Sequence, residues 1–195
     1  MEPRVDRTCT AFAGSKMIAS GDLVAVATKV KKYLKDNGKD NVLIFDDVTS
    51  VQVELDLRGT VEAVSRRYEA LAEETEEKKS GPGRPKLGVV SKEVTLLPQH
   101  WEWLALQPGG ASVTLRKLIE DAKKKNFAKD QIRQAQDAVY KFMHAMAGDF
   151  PNYEEALRAM YANDTKKFKK MIGDWPKDIQ EHILKVGREL LANTK

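Results

Sequence analysis

Between Glu73 and Gly88 the chain loses all apolar periodicity. The run Glu76-Glu77-Lys78-Lys79-Ser80-Gly81-Pro82-Gly83-Arg84-Pro85-Lys86 is almost wholly charge, glycine and proline, a composition expected to bury no apolar face. Residues 76–88 therefore read as a linker. It divides the 195-residue chain into two periodic regions.

Before the linker, Thr8 to Ala13, a turn near Gly14-Ser15, and Met17-Ile18 ahead of Ser20-Gly21 read as a hairpin. Leu23, Val26, Ala27, Val30 and Leu34 then recur at helical spacing up to Asn37-Gly38, where a left-handed cap is cheap for these residue types. Val42 to Phe45, the polar turn Asp46-Asp47-Val48-Thr49-Ser50, and Val51 to Leu57 predict a second hairpin. Thr60 is the expected N-cap of a second helix, in which Val61, Val64, Tyr68 and Leu71 step by 3, 4 and 3.

Beyond the linker the pattern predicts a short strand from Val89 to Leu96, then Pro98 and two helical stretches separated by Pro108-Gly109-Gly110. Ile132, Ala135, Val139, Phe142, Met143 and Met146 predict a long amphipathic helix. Asn152 with Glu155 has the spacing of a capping box, and Ile179, Ile183, Val186 and Leu190 step by 4, 3 and 4. The sequence thus predicts an α+β protein: a small N-terminal ββαββα domain (1–75), the linker (76–88), a central strand-helix-helix segment (89–125) and an all-helical C-terminal domain (126–195).

Charge is uneven along this layout. Residues 1–75 carry 11 basic and 13 acidic side chains, residues 76–126 carry 10 and 6, and residues 127–195 carry 12 and 10. The excess is central, and Lys78, Lys79, Arg84, Lys86 and Lys92 follow one another with no intervening acid, as in a polyanion contact or a solvated linker. No apolar run approaches the roughly 20 residues that span a bilayer, so no membrane partner is expected and the expected location is cytoplasmic. The single cysteine, Cys9, forms no internal disulfide, no histidine pair has metal-ligand spacing, and no cofactor motif is present.

The strand, the proline near its end, the short helix with Trp101 and Leu104, Gly109-Gly110, and Ala111-Ser112 opening a helix together resemble a ribbon-helix-helix DNA-binding domain over residues 89–125. That resemblance implies a homodimer, in which one strand from each subunit forms an antiparallel ribbon in the major groove and the second helix offers its N-terminal amides to a phosphate. With Val90, Val94, Leu96 and the stem of Lys92 inward, Ser91, Glu93 and Thr95 face the groove; a shift by one would bury Glu93. The implied dimer core is Val90, Val94, Leu96, Trp101, Leu104, Leu115, Leu118 and Ile119. The implied DNA contacts are Ser91, Lys92, Glu93 and Thr95 with Ala111 and Ser112. Glu93 departs from the Arg, Lys, Gln or Asn common at such positions and accepts only, as from a cytosine amine. Gly83-Arg84-Pro85-Lys86 is similar to the core of a minor-groove hook, and reads as either a basic tether or a plain linker.

At full length, Thr10-Ala11-Phe12-Ala13-Gly14, Phe45-Asp46-Asp47, Leu55-Asp56-Leu57-Arg58-Gly59, Gly83 through Val90, and Glu93 through Ser112 resemble an uncharacterised bacterial family known only as a domain of unknown function. That resemblance implies one continuous protein and no activity.

The remaining conspicuous residues read as structural. Trp101 is expected in a core with Trp103 covering a neighbouring surface, and Cys9 as a small hydrophobe in a buried strand. His100, His144 and His182 have no nucleophile or carboxylate at a recognised spacing, and Asp46-Asp47 reads as a turn, so no enzyme is expected. Tyr140, Phe142, Met143 and Met146 read as bundle core, and Lys166, Lys167, Lys169 and Lys170 around Phe168 as a solvated face. The expected function is a dimeric regulator that binds double-stranded DNA. The alternative is an interaction or scaffolding module that dimerises through the same strand without DNA. No feature names a small-molecule effector.

Overall fold

The computed structural model describes residues 8–38, 40–77 and 90–192. The first residue of the expected strand and the linker residues Lys78 to Gly88, with the tether Arg84, Pro85 and Lys86, lie outside the described residues. Among those described, the chain is α+β, with three strands in one antiparallel sheet and eight helices. Its internal contacts divide it into two units: Met1–Ser80 with Gln131–Lys195, and Gly81–Asp130.

In the first unit, β1 (Thr8–Ala13) and β2 (Lys16–Asp22) form the expected hairpin, turning at Gly14 with φ 55°, a conformation that costs glycine little. The Asp22 carboxylate accepts from the Ala25 amide at 2.8 Å and caps α1 (Leu23–Asp36), which buries Leu23, Val26, Ala27 and Val30. β3 (Val42–Asp46) pairs with the other edge of β1, so the strand order is β2-β1-β3.

Central β1 is covered on both faces, and its side chains alternate between two cores. Cys9 and Ala11, with Ile44 of β3, pack against Val26, Val30 and the α2 (Val61–Glu77) residues Val64 and Tyr68. Phe12, with Leu43 and Phe45, packs on the opposite side against Val139, Phe142, Met143, Ile179 and Ile183. Those last residues belong to α4 (Gly110–Met146) and α7 (Lys177–Val186), and α5 (Tyr153–Tyr161), α6 (Thr165–Met171) and α8 (Arg188–Ala192) complete the layer. Period-two alternation in one strand thus joins the two ends of the chain. Residues on both sides of the linker and central segment, expected as separate domains, share one core.

Three local features differ from the sequence reading. Val51–Leu57 forms no second strand, only a single bridge between Phe45 and Gln52. The Asp46 carboxylate gathers the Val48 amide, the Thr49 amide and the Thr49 hydroxyl, Ser50 takes φ 51°, and the Asp56 amide then donates to the Tyr68 hydroxyl at 2.8 Å. These bonds draw the chain off the sheet towards α2, although Val53, Leu55 and Leu57 still pack on the core. Asn37 ends α1 with φ −125°, its side-chain amide donating to the Tyr33 carbonyl in place of a left-handed cap. Asn152 takes φ 63° and makes no side-chain cap, and the Glu155 carboxylate is engaged by Arg158 and Lys167, so neither half of the capping box forms. Thr60 does cap α2, its hydroxyl accepting from the Ala63 amide at 3.2 Å.

In the second unit, α3 (Pro98–Ala105) begins at the proline, as expected. Gly109 and Gly110, with φ 87° and 72°, turn the chain into α4, which then runs unbroken through the expected boundary at 125/126. The expected strand over 89–96 is not formed: residues 90–97 have no regular secondary structure. Among the described residues nothing pairs with residues 90–96 to hold them extended, so the local alternation alone does not make a strand.

Candidate functional site

Residues 90–96 make no backbone hydrogen bond among the described residues. Val90, Ser91, Lys92, Glu93, Val94 and Thr95 are all exposed, and Leu96 is half-buried. From Leu96 inward the chain closes an apolar groove of about 270 Å³ lined by Leu96, His100, Trp103, Leu104, Leu115 and Leu118. The structure therefore brings together Leu96, Leu104, Leu115 and Leu118 of the expected dimer core, of which only Leu104 is fully buried, at 2% exposure. Trp101, Leu118 and Ile119 are exposed. Trp101 is thus not the core residue its helical position suggested, although Leu104 one turn on is buried.

Of fourteen exposed large hydrophobic residues among those described, nine fall between Val90 and Phe127: Val90, Val94, Leu97, Trp101, Trp103, Leu106, Leu118, Ile119 and Phe127. The exposed apolar side chains are thus concentrated in the central segment. At the start of α4, Ala111 is half-buried and Ser112 exposed. The first turn of α4 carries no acidic residue, which leaves the positive end of its dipole unopposed locally.

The first unit holds a polar cluster that sequence reasoning missed. Asp178, His182 and Lys185 of α7 are spaced i, i+4 and i+7, so they form one stripe along the helix. The Met17 amide of β2 donates to the Asp178 carboxylate at 2.8 Å. Lys185 Nζ donates to Asp47 Oδ2 at 2.7 Å and reaches Ser20 Oγ at 3.4 Å. The Thr10 hydroxyl donates to Asp47 Oδ1 at 2.6 Å and lies 3.1 Å from Ser20 Oγ. Burial raises the Asp47 carboxyl, but the bonds from Lys185, Thr10 and Thr8 and the charge of Lys185 outweigh it and hold it below its ordinary value.

Between these ties His182 is buried at 2% exposure against the rings of Phe142 and Phe12, centroids 4.3 and 5.3 Å away. Burial lowers its pKa to about 4, with Asp47 acting weakly upward and Lys185 downward. Each cluster residue is taken up in binding α7 to the sheet. The other histidines are surface groups: His144 stacks on Tyr140 and His100 edges the groove. Asp46 and Asp47 point apart, the first into its own turn and the second to Lys185.

The described residues thus form an α+β fold, mostly helical, with a segment over 90–96 that makes no backbone hydrogen bond among them. Residues 8–187 match the model of the family described as "Uncharacterized protein conserved in bacteria (DUF2239)", and the chain belongs to that family. Neither the curated proteins nor the solved structures yield a match.

Proposed function

We propose that this protein is a homodimer that binds double-stranded DNA through residues 90–112, and that it acts as a transcriptional regulator. The observation that carries this reading is the unpartnered segment 90–97. It is exposed, makes no ladder, alternates Val90, Val94 and Leu96 with Ser91, Glu93 and Thr95, and leads into an open apolar groove. A second copy supplies what such a segment lacks: a ladder partner for its backbone and apolar cover for Val94, Leu118 and Ile119. The ribbon so formed presents Ser91, Lys92, Glu93 and Thr95 to the major groove, with the opening turn of α4 set towards a phosphate.

One observation favours a second reading, an interaction module that dimerises without DNA. Glu93 is an exposed carboxylate in the middle of the reading set, where it repels phosphate. Fluorescence anisotropy against random and A·T-rich duplexes at two salt concentrations, with mass by light scattering on the same sample, separates the two. Dimers whose binding weakens steeply with salt support the DNA reading. Dimers indifferent to duplex support the module, and monomers indifferent to duplex refute both.

A further inference from the structure

From Arg116 to Lys129 every residue of α4 is exposed. A helix bare on all sides over this length has no core to hold it, so its surface chemistry is set by solvent or by a partner. That surface is strongly cationic: Arg116, Lys117, Lys123, Lys124, Lys125 and Lys129 stand against only Glu120 and Asp121.

The cations are also ordered. At 100° per residue, Arg116 and Lys123 fall on one line along the helix and Lys117 and Lys124 on a neighbouring line. Leu115, Leu118, Ile119 and Ala122 occupy the other side, where Leu115 and Leu118 line the apolar groove. The division is incomplete, since Lys125 and Lys129 fall on the apolar side and Glu120 and Phe127 fall between the two cation lines, but the four cations on those lines face away from the groove. On the basic side Lys123 pairs with Glu120 at 3.2 Å and Arg116 Nε donates to the Ser112 carbonyl, whereas Lys117 and Lys124 have no partner among the described residues. Each line places two cations about 10 Å apart along the axis, a stretch that spans roughly three phosphates of one DNA strand.

We propose that Arg116, Lys117, Lys123 and Lys124 form a backbone-contacting row that carries duplex DNA beyond the segment that reads bases. The proposal rests on the DNA-binding reading above and extends its footprint along α4. Such a row adds affinity by releasing condensed counterions and leaves base discrimination to Ser91 and Thr95.

The test uses the full chain with the double substitution Lys117→Ala and Lys124→Ala. Both sites are exposed and alanine is the better helix former, so the fold is retained. A control pair, Lys166→Ala with Lys169→Ala, removes the same charge from α6. Affinity for one random-sequence duplex is measured by anisotropy across a salt series. The expected result is a slope of log affinity against log salt shallower by about two in the row variant, with the control unchanged. An unchanged slope in the row variant, while the parent protein binds duplex, overturns the row and leaves the DNA reading standing. An equal loss in the control overturns it too, by showing a response to net charge. A parent protein that binds no duplex removes both.

Discussion

The imidazole of His182 lies 4.3 Å, centroid to centroid, from the ring of Phe142, and neither of its nitrogens has a hydrogen-bond partner among the described residues. A buried imidazole left this way is held neutral. The unfolded chain takes up a proton there near the ordinary value of 6.5, the folded chain only near about 4. Between those values the unfolded state binds more protons, so stability falls as pH drops from 6.5 towards 4, by on the order of 3 kcal/mol in all. Denaturant midpoints taken from pH 7.5 to pH 4 should show this decline. His182→Phe, which keeps an aromatic ring in the same packing, should flatten it. A decline of equal size in that variant would place the titrating group elsewhere.

Asp47 supplies a second, more acidic window. Its folded carboxyl lies below the ordinary 3.8, so its stabilising contribution is complete above 3.8 and is lost as pH falls through the folded value. Acid unfolding of His182→Phe should therefore begin only below about pH 4.

The two partners of the Lys185–Asp47 pair differ in exposure, 44% against 5% for their side chains, which makes the pair asymmetric to mutation. Lys185→Met strands a nearly buried carboxylate and should cost about 2 kcal/mol. Asp47→Ala leaves an ammonium that reaches water and a Thr10 hydroxyl still near Ser20, and should cost about 1 kcal/mol. The double variant should lose less than the sum, since both singles break one network. Urea unfolding of the three proteins measures all three terms.

Gly109 combines φ 87° with a position where an added Cβ would stand 3.1 Å from the Val113 side chain. Gly109→Ala should therefore destabilise the turn into α4 by about 1–2 kcal/mol. Amide hydrogen exchange should report this as lost protection in the first turns of α4, with the sheet unchanged. Equal loss at both places would show that the two regions unfold together.

Leu118→Glu puts a charge on the groove edge without disturbing the buried Leu104. If a second copy covers this edge, the variant should be monomeric by light scattering at concentrations where the parent is dimeric, with the same helix content by circular dichroism. A dimer of undiminished stability would move the subunit contact to another surface.

Local pattern was enough to find β1, β2, α1, β3 and α2, because each is written in short-range spacing such as Leu23, Val26, Ala27 and Val30. It also found the start of α3 at Pro98 and the turn at Gly109. What it missed is long-range. Nothing near Phe12 says that its partner ring is Phe142, and nothing near Asp47 says that its cation is Lys185, 138 residues away. The strand expected over 51–57 fell to the competing bonds of Asp46 and Tyr68, tertiary ties that alternation cannot reveal. Of the candidate site, the sequence marked the segment but not its conformation: the strand expected from Val90, Val94 and Leu96 is not formed. The bare, cationic stretch of α4 was not legible, since Leu115, Leu118 and Ile119 were assigned only to an implied dimer core and the charge count did not place the central cations on one helix.

The sharing of one core by the two ends of the chain also fixes an order of events during synthesis. Phe12 and Phe45 leave the ribosome well before Phe142 and Ile183, which complete their packing. At roughly 5–20 residues per second, the apolar face that they share on the nascent sheet stays uncovered for about 5 to 30 seconds. For that interval the sheet has helices available to only one of its faces. The newborn protein is then most exposed to aggregation, and most dependent on chaperones, at a stage when its central segment has already been made.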